Sequence, residues 1–326
     1  MTSSTRTAPP PLFVVFNIGS GHGDAAAARA VIAQACAAAG RAVQWLVVDD
    51  PKRIDSVARE AVRLARDVSG IVVAAGGDGT INAVAQATLG SGCAFGVLPQ
   101  GTFNYFSRSH GIPADTAAAM QVLLHEAATP VQVGLVNEQV FLVNASLGLY
   151  PKLLEDREAW KQQLGRSRMV AFGAGLLTLL RGAPSLRLHI EVQGRMRDVR
   201  TPTLFVGNNA LQLAQLGFPE AQAVADGELA VIMLRPVGRL RFLGLVLRGA
   251  FGQLGDADQV LSFAFRELVV RRARALGRRR VKVATDGEIS WQSQPLRFRV
   301  SPEPLLLIRP AAPAAPDAAD VEGDTP

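Results

Sequence analysis

The sequence predicts a doubly wound parallel-sheet α/β domain followed by a mainly antiparallel β domain, and three observations carry that prediction. Between residues 12 and 128, short β-branched apolar runs (LFVVFN, AVQWLVVD, GIVVAA, FGVLP) alternate with longer Ala-rich or mixed segments. That alternation is the texture of strand, helix, strand in a parallel sheet. Runs such as Leu12 to Phe16 and Ile71 to Ala75 are apolar throughout, as strands covered by helices on both faces must be. From about residue 130 the runs shorten to hairpin spacing, which reads as antiparallel β.

Taken in order, the first strand opens at Leu12 and leads through a glycine-bearing turn into a helix that ends near Gly40. AVQWLVVD is the second strand, a helix runs up to Gly70, GIVVAA is the third strand, Ile81 to Leu89 reads as a helix, and FGVLP is the fourth strand. The second half supplies VFLVNASL, LRLHIEV, TPTLFVG, ELAVIML, LVVRRARA and VKVA as strands, with helical spacing over Asp156 to Arg181 and Gly238 to Leu254. The expected organisation is an α/β domain over 12–128, a β-rich domain over 129–300, and a strand in 301–309 returning to the first domain. Residues 1–11 and the Pro/Ala/Asp tail 310–326 are expected to be disordered, because neither buries enough apolar surface to offset its ordering entropy.

Composition narrows the function classes. With 326 residues, 48% hydrophobic and 19% charged, the chain has about two domains' length and a soluble globular make-up. It contains no uncharged apolar run long enough to cross a membrane. The apolar run Leu12 to Phe16 is too short for a secretory signal, so a cytoplasmic protein is expected. Cys36 and Cys93 cannot build a disulfide framework or a zinc site. His22, His110, His125 and His189 are scattered and support neither a metal nor a catalytic base. Removing the four acids of the tail from a formal net charge of +6 leaves +10 on the remainder, a field that favours anionic partners.

Three turns carry the chemistry. Gly76-Gly77-Asp78-Gly79-Thr80 follows an apolar strand and opens a helix. Glycines there can adopt positive φ and admit phosphate to main-chain N–H groups at the helix N-terminus. The plainer reading is a strand packed on a helix with Asp78 or Thr80 as N-cap. Asn17 to Asp24 forms a second turn and Pro99 to Tyr105 a third, all at strand C-termini, where an open parallel sheet binds its ligand. Asp286-Gly287, between Arg280 to Thr285 and Ile289 to Gln292, is a two-residue hairpin signal; Glu288 then protrudes beside the turn. Asp226-Gly227 makes a similar turn before Leu229 to Leu234.

On NIGSG (17–21), GGDGT (76–80), GTFN (101–104), DGEL (226–229) and the late DGE (286–288), the sequence resembles the diacylglycerol kinase catalytic-domain family of lipid kinases, over roughly residues 12 to 309. The resemblance implies a β-sandwich second domain, ATP in the cleft between domains, and Mg²⁺ as cofactor. It implies that Asn17, Ser20, Gly21, Gly76, Gly77, Gly79, Thr80, Thr102 and Asn104 contact ATP. Asp78 and Glu288 would lie at the phosphoryl-transfer site, and Asp226 would match a structural magnesium site. The implied reaction is phosphorylation of a hydroxyl on diacylglycerol or a similar lipid. A non-catalytic nucleotide or lipid binder on the same fold is the alternative. A nicotinamide-dinucleotide kinase would share GGDGT but not the placement of the DGE hairpin.

Three positions depart from the family's usual pattern. Tyr105 stands where an Asp commonly follows the Asn of the third loop, Gln132 where an acid is common, and Ile18 where Pro is usual. Losing two carboxylates weakens any Mg²⁺ network built from them with Asp78. Arg271 to Lys282 holds seven Lys/Arg in twelve positions, which suits either a solvated strand edge or contact with an anionic membrane surface. The run lacks the interleaved aromatics of a nucleic-acid binder, so no nucleic acid is expected. Arg239 to Leu254 fits a core-packed helix or a membrane-surface helix.

Overall fold

The computed structural model describes residues 9–20, 25–148, 185–236, 258–273 and 280–311. The helical spacing expected over 156–181 and 238–254 lies outside the described residues, as do residues 1–8, 274–279 and the acidic tail from 312 onward. The first half contains β1 (Leu12–Asn17), α1 (Ala25–Ala38), β2 (Val43–Val48), α2 (Ile54–Asp67), β3 (Ile71–Gly76), α3 (Asp78–Thr88), β4 (Ala94–Pro99), α4 (Tyr105–Ser109), α5 (Thr116–His125) and β5 (Ala128–Val131). The second supplies β6 (Gly134–Val136), β7 (Gln139–Phe141), β8 (Asn144–Gly148), β9 (Leu186–Val192), β10 (Arg195–Thr201), β11 (Thr203–Gly207) and β12 (Leu229–Leu234). It continues through β13 (Val260–Phe265), β14 (Glu267–Arg272), β15 (Arg280–Thr285), β16 (Glu288–Ser293), β17 (Leu296–Val300) and β18 (Leu305–Ile308).

The first sheet has the order β2-β1-β3-β4-β18-β5, parallel except for the β18–β5 pair. β3 is buried at every residue, which its uninterrupted apolar run requires once helices cover both faces. α2 packs through Ala58, Ala61, Val62 and Ala65, the i, i+3, i+4, i+7 stripe of an amphipathic helix. β18 places the chain's late strand between β4 and β5, and β5 spans the boundary expected at residue 128.

Two antiparallel sheets, β10-β9-β14-β17-β6-β7 and β13-β12-β11-β8-β15-β16, form the second domain. Alternate residues of facing strands, such as Leu188 and Ile190 of β9 and Leu229, Val231 and Met233 of β12, share one core. That period of two over both sheets makes a sandwich. β7 serves both domains, since Val140 packs in the first core and Phe141 in the second. VFLVNASL is not one strand. It breaks after Phe141 and resumes at Asn144, because the main-chain N–H groups of Leu142, Val143 and Asn144 all donate to the carboxylate of Asp286.

Candidate functional site

β3 and β4 run in register, Gly76 beside Pro99, so the turns that follow them leave the sheet side by side. They are tied at once: Gln100 N donates to Gly76 O at 2.8 Å, and Asn104 N donates to Asp78 Oδ2 at 3.2 Å. Asn104 closes its own loop, accepting from Gly101 N at 3.0 Å and donating Nδ2 to Gly101 O at 2.8 Å. This clasp holds Asn104 at φ +47°, a left-handed conformation that Asn tolerates better than most residues. The β1 turn joins from the other side. Asn17 donates Nδ2 to Thr80 Oγ1 at 2.9 Å, accepts from Gly19 N at 3.0 Å, and its carbonyl accepts from Ser20 Oγ at 2.9 Å.

The glycines of GGDGT do not use positive φ, contrary to the expectation for this turn; Gly77 has φ −80° and none of Gly76, Gly77 and Gly79 is left-handed. Close packing explains them instead. A Cβ on Gly76 would lie 2.6 Å from the Thr80 side chain, and one on Gly101 would lie 2.7 Å from Asn104 Oδ1 and 3.1 Å from Gly77 Cα. Gly77 itself has room, its nearest neighbour being Gly101 Cα at 3.7 Å.

Asp78 opens α3, where the helix N-terminus favours negative charge. Burial raises its carboxyl above the ordinary range, against the pull of the main-chain N–H groups of Asn104, Tyr105 and Asp78 itself. Its second oxygen, Oδ1, is buried without a donor. An acceptor left in that state costs about 1–3 kcal/mol, so it suits a site that meets a cation or water. Glu288 reaches the same helix end from the second domain, its Oε1 lying 3.4 Å and its Cγ 3.9 Å from where a Cβ on Gly79 would stand. Asn17, Gly79, Thr80 and Glu288 share an interdomain cleft of about 770 Å³ with Asp55 and Arg59 of α2.

Among the residues singled out from sequence, Asn17, Ser20, Gly76, Gly77, Asp78, Gly79, Thr80 and Asn104 thus form one connected framework, with Glu288 over it. Gly21 lies outside the described residues. Thr102 is exposed at the tip of the third loop beside Phe103, itself 55% exposed. Asp226 lies away from the cleft lining, exposed at the end of the short helix Ala221–Ala225, with Oδ1 accepting from Gln222 Nε2 at 3.1 Å. Among the described residues no three His, Cys, Asp or Glu side chains gather to hold an ion.

Two of the three departures, Tyr105 and Gln132, are engaged in contacts of their own. Tyr105 stacks with Phe103 at 6.1 Å and has the Arg108 guanidinium 5.7 Å from its ring centre. Gln132 donates Nε2 to Asn208 Oδ1 at 2.7 Å and to Glu228 O at 2.8 Å, beside the Asp226 turn. Sequence reasoning passed over Asn82 and read Asp286 only as a turn former. Asn82 falls one helical turn after Gly79 on α3, and that spacing was the available signal.

Residues 11–136 match the diacylglycerol kinase catalytic domain, and residues 157–309 match the YegS C-terminal NAD kinase beta sandwich-like domain. A protein of Pseudomonas aeruginosa (strain UCBPP-PA14) named Probable lipid kinase YegS-like is 34% identical over 253 residues, which span 74% of this chain and 76% of that protein. This chain belongs to the diacylglycerol kinase catalytic-domain family of lipid kinases. Another relative in that family, Probable lipid kinase YegS-like of Klebsiella pneumoniae, is 43% identical over 108 residues, but that match spans only 32% of this chain and 34% of the relative. A crystal structure of a diacylglycerol kinase from Bacillus anthracis has the same fold, with a TM-score of 0.69 at 21% identity over 92% of this chain and 97% of that one. Within this lipid kinase family the three tied turns and Glu288 form the candidate active site.

Proposed function

We propose that this protein is an ATP-dependent lipid kinase that transfers the γ-phosphoryl group to a hydroxyl of diacylglycerol or a similar lipid. The observation that carries the reading is the position of Glu288, set from the second domain against Gly79 at the N-terminus of α3. Phosphoryl transfer needs phosphates held in place and a base beside the attacking hydroxyl. The glycine turns of β3 and β4 and the first turn of α3 offer main-chain N–H groups and the positive end of the helix to phosphate. Glu288 is the group that accepts the lipid hydroxyl proton. Mg²⁺, when bound, neutralises charge on the phosphate oxygens, and Asp78 Oδ1, buried without a donor, is the oxygen that fits it. We assign the phosphate-bound Mg²⁺ to Asp78; Asp226, expected from the resemblance as a separate structural magnesium site, has an exposed carboxylate that takes the Gln222 amide. The roles of Asn17, Thr80 and Asn104 in this proposal are to hold the three turns together around the nucleotide.

The test is direct. Purified protein is incubated with labelled ATP, Mg²⁺ and a mixed lipid extract; labelled phospholipid is expected. A specific observation favours a second reading, a non-catalytic binder on the same fold: where the family commonly has acids, Tyr105 is committed to Phe103 and the Arg108 guanidinium, and Gln132 to Asn208 and the Glu228 carbonyl. ATP binding without any phosphorylated lipid in that assay would select it.

No helix among the described residues is long and apolar enough to cross a membrane, and peripheral contact is part of the proposal. Trp291 is 51% exposed with Lys282 Nζ 5.3 Å from its ring centre, on the hairpin that Arg280 begins. Aromatic and basic side chains together suit an anionic lipid surface. Binding to phosphatidylserine-containing vesicles should weaken as salt rises.

A further inference from the structure

We propose that Asn82 is a positioning residue for Glu288, acting through the buried carboxylate of Asp286; the inference rests on the kinase reading for its meaning but not for its test. The geometry is continuous from one domain to the other. Asp286 and Gly287 have φ of +48° and +92°, the pair of left-handed residues that closes a two-residue hairpin, and Glu288 is the next residue, paired across the turn with Thr285. The direction in which Glu288 leaves the hairpin is therefore set by how that turn is held.

Asp286 holds it by facing inward. Its Oδ1 accepts from Val143 N at 2.8 Å and Asn144 N at 2.9 Å, and its Oδ2 accepts from Leu142 N at 2.7 Å. Three successive N–H groups make an anion-binding concavity of main chain. The contact is returned, since Asp286 N donates to Asn144 O at 2.9 Å. These bonds fix the hairpin to the segment where the domains join, since Leu142 and Val143 pack in the first core and Asn144 opens β8 of the sandwich. The fourth donor comes from α3: Asn82 Nδ2 lies 2.7 Å from Asp286 Oδ2 and 3.2 Å from Val140 O. Asn82 is three residues after Gly79, so the same helix that presents the phosphate cradle also grips the turn that carries Glu288.

An amide fits this position for a stated reason. Among the described residues the four donors to Asp286 are all neutral, three main-chain N–H groups and the Asn82 amide, which is short enough to reach the carboxylate from α3. Gln86, one turn further along α3, makes a second tie, accepting from Val140 N at 2.7 Å and donating to Glu138 O at 3.2 Å. That tie reaches β7 without touching Asp286, which makes it the control.

The first arm needs no catalysis. In a protein carrying Gly79→Cys and Glu288→Cys, oxidative disulfide formation reports how often the two positions meet; the native Cys36 and Cys93 are buried. Adding Asn82→Leu should slow the crosslink by about an order of magnitude or more, because a disulfide tolerates little displacement of its Cβ atoms. Adding Gln86→Leu should leave the rate nearly unchanged. The second arm uses the otherwise native enzyme: Asn82→Leu should lower kcat by about 10²-fold, as displacement of a reacting group by roughly an ångström does, with ATP affinity unchanged. Asn82→Ser replaces Asn82→Leu if the larger change unfolds the protein. Equal effects of the Asn82 and Gln86 variants on crosslinking, or native crosslinking in the Asn82 variant, would overturn the inference. A native protein that phosphorylates no lipid would instead overturn the kinase reading, and the crosslinking arm would still decide the role of Asn82.

Discussion

A Cβ on Gly76 would stand 2.6 Å from Oγ1 of Thr80, four residues later on the same turn. The hydroxyl on that Oγ1 is also where the Asn17 amide lands, at 2.9 Å. Gly76 therefore makes room for the contact that joins the β1 turn to the β3 turn, a steric role that needs no unusual backbone angle.

The first prediction follows from it. Gly76→Ala should overpack the turn, costing about 1–3 kcal/mol, and should weaken ATP binding by displacing Thr80 from Asn17. Gly77→Ala meets only ordinary contact and should melt with the native protein. Thermal unfolding and titration calorimetry on the two variants check this, and a Gly76→Ala protein with native stability and native ATP affinity would remove the clamp from the account.

Glu288→Gln keeps shape and removes the acceptor for the hydroxyl proton. Turnover with lipid should fall by about 10² to 10⁴, the range for loss of a general base, while ATP affinity and thermal stability stay near native. Steady-state kinetics with the lipid identified in the product assay would measure it. Native turnover would take Glu288 out of the mechanism.

Restoring an acid at position 132 is the third test. Gln132 Nε2 donates to two oxygens, Asn208 Oδ1 and Glu228 O, so Gln132→Glu sets a carboxylate oxygen against two acceptors. Destabilisation of about 1–3 kcal/mol is expected, read from urea unfolding, with no gain in turnover. A variant that is both as stable as the parent and faster would mean that the position is a ligand site deprived of its acid.

His110 supplies a pH prediction. Burial, with a smaller contribution from Arg309, pushes its imidazole down to about 4 from 6.5, and its Nδ1 is buried without a partner while the ring packs edge-on against Phe106 at 4.7 Å. The unfolded chain binds the histidine proton below pH 6.5 and the folded chain only below about 4. Stability from this group is therefore complete above pH 6.5 and falls as pH drops through that window, by about 3 kcal/mol in all. Asp78 and Asp286, both raised, act in the opposite sense, favouring the fold as acid is added. His110→Phe should keep the ring contact and remove much of the loss between pH 6.5 and 4, as followed by melting temperature against pH. An unchanged profile would argue against a buried neutral imidazole.

What the sequence determined by itself was local: uninterrupted apolar runs became the buried strands β1 and β3, the i, i+3, i+4, i+7 stripe became α2, and Asp286-Gly287 closed the hairpin between β15 and β16. These features depend on periodicity and on backbone angles that a few neighbouring residues impose, so they are readable without knowing what packs against what. The split of VFLVNASL into β7 and β8 was not readable, because its cause is a carboxylate 142 to 144 residues away. The same holds for the site. GGDGT announced a tight turn opening a helix, but that Gly76 rather than Gly77 is sterically required, that Asn82 reaches Asp286 across 204 residues, and that Glu288 meets Gly79 are consequences of tertiary packing around α3. Contacts between residues so far apart in sequence leave no periodic trace in the chain; only the tertiary structure decides which donor finds which acceptor.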